Sequence, residues 1–214
     1  MIVLYSHQKG GVGKSTIAIN HAYSKDCSVI DLDSQNSSML FNQLRKMQDR
    51  KSNDCFTANT INKFNEMIKP YKENKKNMII IDSGGYDSEI NRLALVSADI
   101  IITPVGASQI ELFGLQKFRG ILSEASEATG KNIKTHVLIN NVDPRSKKKV
   151  NELQEYIKSN ETYFNLLDSI LHTRVDFKNA YGEGLTVEEL NKESKAAQEI
   201  NELVKEVDKL IKIY

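Results

Sequence analysis

The stretch Lys9-Gly10-Gly11-Val12-Gly13-Lys14-Ser15-Thr16 constrains this chain more than any other. It lies between a continuous apolar run, Ile2–Tyr5, and a segment of helical length, Ser15–Ser24. Glycines let a backbone curl until several N–H groups point at one anion. A helix that starts directly behind adds the partial positive charge of its N-terminus. Strand, glycine-rich loop and helix in that order are the context a phosphate-binding loop requires. On this reading Lys14 reaches the β- and γ-phosphates of a nucleotide, and the Ser15 hydroxyl can ligate Mg²⁺. The usual pattern has glycine five positions before Gly13, where this chain has Gln8, and a second lysine, Lys9, opens the loop.

The remaining chain repeats the same alternation. Ser28–Leu32, Met78–Ile81, Ile100–Thr103 and His136–Ile139 are short apolar runs, as expected of strands buried on both faces of a parallel sheet. Helical patterns separate them. Leu40–Arg50 and Thr60–Tyr71 bracket a polar stretch, Lys51–Asn59. Leu115, Phe118, Leu122 and Ala125 share one helical face, and so do Val150, Leu153 and Ile157. The expected architecture is a doubly wound α/β fold, a mostly parallel sheet with helices on both faces, built as one domain over residues 1–214. Ile200, Leu203, Val204, Val207, Leu210 and Ile211 mark a final amphipathic helix. Its segment Lys192–Tyr214 carries five lysines and five acids, whereas a membrane-surface helix is usually rich in Lys and Arg. That balance predicts packing against the sheet.

Two further carboxylate positions fit phosphate chemistry. Asp31-Leu32-Asp33 closes the second apolar run, and Asp82 closes Met78–Ile81 in a Walker B arrangement that places it at the Mg²⁺ site. Asn140 or Asn141 follows His136–Ile139, where folds of this class often contact the base; Asn140 is carried forward as the candidate. Lys+Arg 29 against Asp+Glu 28 gives a formal charge of +1, so nucleic-acid affinity must come from a local patch. The clearest such patch is Asp143-Pro144-Arg145-Ser146-Lys147-Lys148-Lys149. Cys27 and Cys55 form no C-x-x-C, which excludes zinc ribbons and thioredoxin-like redox chemistry. The four histidines show no metal spacing and are read as structural. No apolar run is long enough for a signal peptide or a membrane span.

The loop Lys9–Thr16 is the deviant Walker A form and resembles that of the ParA/MinD ATPases, whose signature is the extra lysine. Gln8 is similar to the ParA partition branch. The likeness runs over roughly residues 1–210 and is weakest at residues 46–77. Asp31-Leu32-Asp33-Ser34-Gln35 is similar to the family's Asp-x-Asp-Pro-Gln, with Ser34 in place of proline. The resemblance implies that Asp33 positions the attacking water and that Asp31 supports the metal and loop. Ser83-Gly84-Gly85 replaces a usual Thr-Pro-Pro, and a switch is still expected there. Lys9 would reach the partner's nucleotide across a dimer interface, so the monomer would hydrolyse ATP poorly. Arg145 matches a family arginine that contacts nonspecific DNA, with Lys147, Lys148 and Lys149 beside it. Arg174 and Lys178 resemble a second basic segment.

The expected protein is a cytoplasmic, nucleoid-associated partition ATPase that uses ATP and Mg²⁺. It would dimerise on ATP, bind nonspecific DNA, and be stimulated by a ParB- or ParG-type partner. No membrane partner is expected. With the first strand at residue 2 there is no preceding helix-turn-helix, so operator-specific repression is not expected either. The alternatives are a MinD-like membrane-surface regulator and a metabolic ATPase of the same fold. Iron–sulfur relatives need cluster cysteines, which Cys27 and Cys55 do not supply.

Overall fold

The computed structural model describes residues 1–213. Seven strands, β1 (Ile2–Tyr5), β2 (Ser28–Asp31), β3 (Cys55–Thr57), β4 (Ile79–Asp82), β5 (Ile100–Val105), β6 (Thr135–Val142) and β7 (Phe164–His172), form one sheet in the order β3-β2-β4-β1-β5-β6-β7. Every pairing is parallel, so the sheet expected to be mostly parallel is wholly so. Parallel strands need long crossovers, and helices supply them. In chain order these are α1 (Lys14–Ser24), α2 (Ser37–Met47), α3 (Ile61–Glu73), α4 (Glu89–Ser97), α5 (Gln109–Thr129) and α6 (Lys147–Lys158). Three more, α7 (Val175–Gly182), α8 (Val187–Leu190) and α9 (Lys195–Ile211), follow β7.

Alternation along the central strands divides the core in two. Ile2, Leu4, Ile79 and Ile81 point to one face, where they meet Phe64, Leu115, Phe118, Leu122 and Leu153 from α3, α5 and α6. Val3, Tyr5, Ile80 and Ile102 point to the other, against Ile17 and Ala18 of α1 and Ile200, Leu203 and Val207 of α9. The apolar stripe of α9 is thus consumed by the sheet, as the charge balance of that segment predicts.

Two strands lie outside the apolar runs of the sequence. β3 falls inside the polar stretch 51–59; it is three residues long, and Phe56 points outward from this edge. β7 is interrupted by Asn165, Asp168 and Ser169, and its pairing with β6 shifts register twice. A shifted register breaks the period-two pattern by which a strand is read.

A parallel sheet places all its strand C-termini at one edge, and ligands of open α/β sheets bind there. β1 leads into residues 6–13, β2 ends at Asp31, β4 at Asp82, β6 at Val142 and β7 at His172. Residues spread from 10 to 181 therefore meet in one cleft.

Candidate functional site

The cleft has a volume of about 630 Å³ and is open on one side. Its floor is the loop before α1. Gly11 (φ 76°) and Gly13 (φ 97°) take left-handed conformations. A Cβ on Gly13 would lie 2.4 Å from Asn140 Nδ2, so no side chain fits there. Asn140 is buried, and its Nδ2 donates to Val12 O at 2.7 Å, fastening the loop to the end of β6. The candidate for base contact is thus already engaged with the loop, while its neighbour Asn141 is exposed and lines the cleft. On the opposite side Gly85 comes against the loop: its Cβ would lie 3.0 Å from the Gly10 backbone. The β4–α4 connection therefore touches the loop through glycine, as the Gly84-Gly85 pair suggests.

Both lysines of the loop are held by protein atoms. Lys14 is buried, and its Nζ donates to Lys9 O at 3.1 Å. Burial pushes its pKa down, while Asp82 and Asp33 pull it up. Lys9 pairs with Glu111 of α5. The Lys9 backbone N–H donates to His7 Nδ1 at 3.0 Å, and the His7 ring stacks on Phe118 with centroids 5.5 Å apart. Burial drives the His7 pKa down to about 3, so the ring stays neutral and can accept that bond.

The carboxylates divide into structural and open groups. Asp31 Oδ1 accepts from Asp33 N at 3.0 Å, and Oδ2 accepts from Met39 N at 3.1 Å. Asn36, which precedes α2, gives it no side-chain cap, so Asp31 satisfies one of that helix's free amides from a distance. Asp82 is fully buried beside it, since the two are paired in register. Ser38 Oγ donates to Asp82 Oδ2 at 2.8 Å, while Asp82 Oδ1 has no hydrogen-bond partner among the described residues. Burial first, and the Asp31 charge second, push the Asp82 pKa up to about 7. A buried carboxylate oxygen without a partner next to hydroxyls and a second carboxylate fits a hydrated divalent cation such as Mg²⁺, a hard ion that takes oxygen ligands. Ser15 lines the same cleft. Asp33 sits in it too, its Oδ1 accepting from Gln35 N at 2.9 Å.

The far wall comes from β7 and α7: His172, Arg174, Phe177, Lys178 and Tyr181. His172 is thus placed in the cleft, where sequence spacing gave no reason to put it. Arg174 and Lys178 also face the cleft rather than forming a separate basic segment. Tyr181 Oη donates to Ser37 O at 2.9 Å, tying this wall to the start of α2.

Arg145, Lys147, Lys148 and Lys149 lie outside the cleft, at the exposed start of α6. The Arg145 side chain is 90% exposed and paired with Asp143 at 2.7 Å. The first turn of α6 carries no acid and no side-chain cap. Among the described residues, no helix is long and apolar enough to cross a membrane.

A family model described as the CobQ/CobB/MinD/ParA nucleotide-binding domain matches residues 3–187. Comparison with curated proteins returns no match. Among solved structures, apo McdA from Cyanothece aligns with TM-score 0.74 at 16% identity, over 96% of this chain and 98% of that one. MinD of Pyrococcus horikoshii, complexed with Mg-ADP, aligns with TM-score 0.70 at 20% identity, over 99% and 97%. A plasmid partition protein of Borrelia burgdorferi aligns with TM-score 0.66 at 16% identity, over 98% of each chain. At these identities the structural likeness establishes the fold.

Proposed function

Since the chain belongs to the CobQ/CobB/MinD/ParA nucleotide-binding family, we propose that it is a ParA-type ATPase that dimerises on ATP and binds DNA without sequence preference, with hydrolysis stimulated by a centromere-binding partner. The nucleotide half of this reading rests on the loop. Gly10, Gly11, Gly13 and Lys14 line the cleft together at the N-terminus of α1, a setting suited to a phosphate group. ATP-site ligands in solved relatives, Mg-ADP and AMPPNP, agree with it.

In this mechanism Lys14 leaves the Lys9 carbonyl for the phosphates, a better partner for a buried cation. Ser15 and Asp82 would hold Mg²⁺. The ion, when bound, neutralises charge on the β- and γ-phosphates. Asp33, on the turn after β2, orients water for attack on the γ-phosphate. Lys9 exchanges Glu111 for the nucleotide of a second copy of the chain. Phosphoryl transfer needs little beyond such positioning and charge neutralisation.

The observation that carries the DNA half is the start of α6, where three lysines and Arg145 stand exposed at a positive helix end with no acid in the first turn. The Asp143–Arg145 pair is exposed, and such pairs are weak enough for a DNA phosphate to displace. The MinD-like alternative would need an apolar surface free for a membrane, and α9 spends its own on the core. The deciding experiment measures binding to random-sequence duplex DNA and to anionic vesicles with ATP, ADP or no nucleotide. Expected is ATP-dependent DNA binding that falls with salt and is weakened about tenfold or more by Arg145→Glu. Vesicle binding without DNA binding would move the protein to the membrane-surface class. Binding to neither would leave a nucleotide-binding protein with some other partner.

A further inference from the structure

The cleft wall facing the phosphate loop carries an ordered set of polar groups that phosphate binding does not use. At its centre is Glu199 of α9, whose side chain is only 12% exposed. Oε2 accepts from the His172 backbone N–H at 3.0 Å; Oε1 lies 2.8 Å from His172 Nδ1 and accepts from Arg174 Nη2 at 2.7 Å. Burial alone would raise the pKa of this carboxyl, but the bonds from Arg174 and His172 outweigh it and hold the group below the usual glutamate range. Glu199 is therefore an ionised acceptor. The imidazole proton must sit on Nδ1, and in the neutral ring Nε2 is left as an acceptor.

A donor stands on the same wall. Asn141, at the end of β6, is held in a left-handed conformation with φ 54°. Its Oδ1 accepts from the Thr173 hydroxyl at 2.9 Å, which leaves its NH₂ group for a ligand. His172 and Asn141 both line the cleft. Adenine carries a donor, its exocyclic 6-amino group, next to a ring-nitrogen acceptor, whereas guanine carries an acceptor, O6, at that position. An acceptor and a donor lining one cleft can match the first base and oppose the second.

We propose that His172, oriented by Glu199, selects adenine by accepting a hydrogen bond from the exocyclic amine, with Asn141 donating to an adjacent ring nitrogen. The proposal rests on the nucleotide-binding reading above and adds to it a specificity device. Arg174 acts here as a positioning residue: it keeps Glu199 ionised and so fixes the tautomer of His172.

The test compares ATP with purine riboside 5′-triphosphate, which differs only in lacking the 6-amino group. Equilibrium binding is measured for the wild-type chain, His172→Leu and His172→Gln, each checked by far-UV circular dichroism and thermal melting. The wild-type protein is expected to bind ATP about tenfold more tightly than the analogue, the value of one good hydrogen bond. His172→Leu should bind the two alike. His172→Gln, whose amide oxygen can accept, should restore part of the difference. Equal binding by the wild type, or an unchanged ratio in His172→Leu, overturns the proposal. If His172→Leu does not fold, the wild-type ratio and the glutamine variant still decide. A wild-type protein that binds ATP but does not distinguish the analogue sinks only this inference. One that binds neither triphosphate sinks the nucleotide reading and this inference with it.

Discussion

Two buried charges at the strand-end edge of the sheet, Lys14 and Asp82, each have a measurable consequence. Lys14 is a buried cation whose Nζ donates to a carbonyl, its one side-chain hydrogen bond among the described residues. A phosphate would be a stronger partner, so Lys14→Ala should weaken binding of a fluorescent ATP analogue by about 100-fold or more. Retained tight binding would remove Lys14 from the phosphate site. Asp82 makes a prediction about pH. Its folded pKa, about 7, lies above the 3.8 of an ordinary aspartate. Between those values the folded state binds more protons than the unfolded one, so stability falls as pH rises through this window. Asp82→Asn removes that loss. In the absence of nucleotide and Mg²⁺ the variant should melt several degrees higher than wild type at pH 8, and the gap should close toward pH 4. A gap that does not vary with pH would contradict the raised pKa.

Lys14 was legible in the sequence as a candidate because it closes a glycine-rich run at a helix start, and Asp33 and Asp82 because each sits at or next to a strand end. Glu199 was not. It stands 27 residues from His172, and the contact exists only because α9 packs against β7.

Among the elements, α2 has the most demanding anchorage. Arg45 from this helix is almost fully buried. Its guanidinium makes a two-pronged pair with Glu189 at 2.6 and 2.8 Å, donates to Gly184 O and Lys51 O, and lies 4.3 Å from the Tyr23 ring centre. Glu189 also closes the capping box of α8. One side chain therefore joins α1, α2 and the α7–α8 connection, and α2 in turn supplies Ser38 to Asp82. Arg45→Ala should cost about 2–4 kcal/mol in chemical denaturation, since it empties the space of a buried guanidinium, leaves the buried Gly184 carbonyl without its donor and breaks the pair with Glu189. Arg45→Lys should recover only a small part, because an ammonium cannot reproduce the planar fork or its stacking. A loss below about 0.5 kcal/mol for Arg45→Ala would mean that the cluster relaxes freely. Nothing in the local pattern of 37–47 marks Arg45 as a core residue. An arginine in a polar helical segment reads as surface, and only the converging carbonyls and carboxylate make its burial possible.

Across the whole molecule, the proposed cycle couples nucleotide state to assembly. Asp33 faces the cleft without being needed for its shape. Asp33→Ala should keep ATP binding, slow hydrolysis about tenfold or more, and accumulate a dimer in the presence of ATP and Mg²⁺ by light scattering. Hydrolysis at the wild-type rate would take Asp33 out of the reaction.

The sequence alone determined the alternation of strands and helices, the glycine-rich loop before α1, and the carboxylates at the ends of β2 and β4. Those features are local: a strand buried on both faces, a glycine turn and a helix start each carry their signal within a few residues. Tertiary structure decided the rest. It set the strand order, placed the three-residue β3 and the irregular β7 at the two edges, and fastened Asn140 to the loop while tying Asn141 to Thr173 at the cleft wall. It also brought His172, Glu199 and Arg174 together on a wall whose parts lie on separate elements. Such contacts depend on which faces pack against each other after the chain has crossed the sheet, and that information is spread over long-range burial rather than any contiguous run of residues.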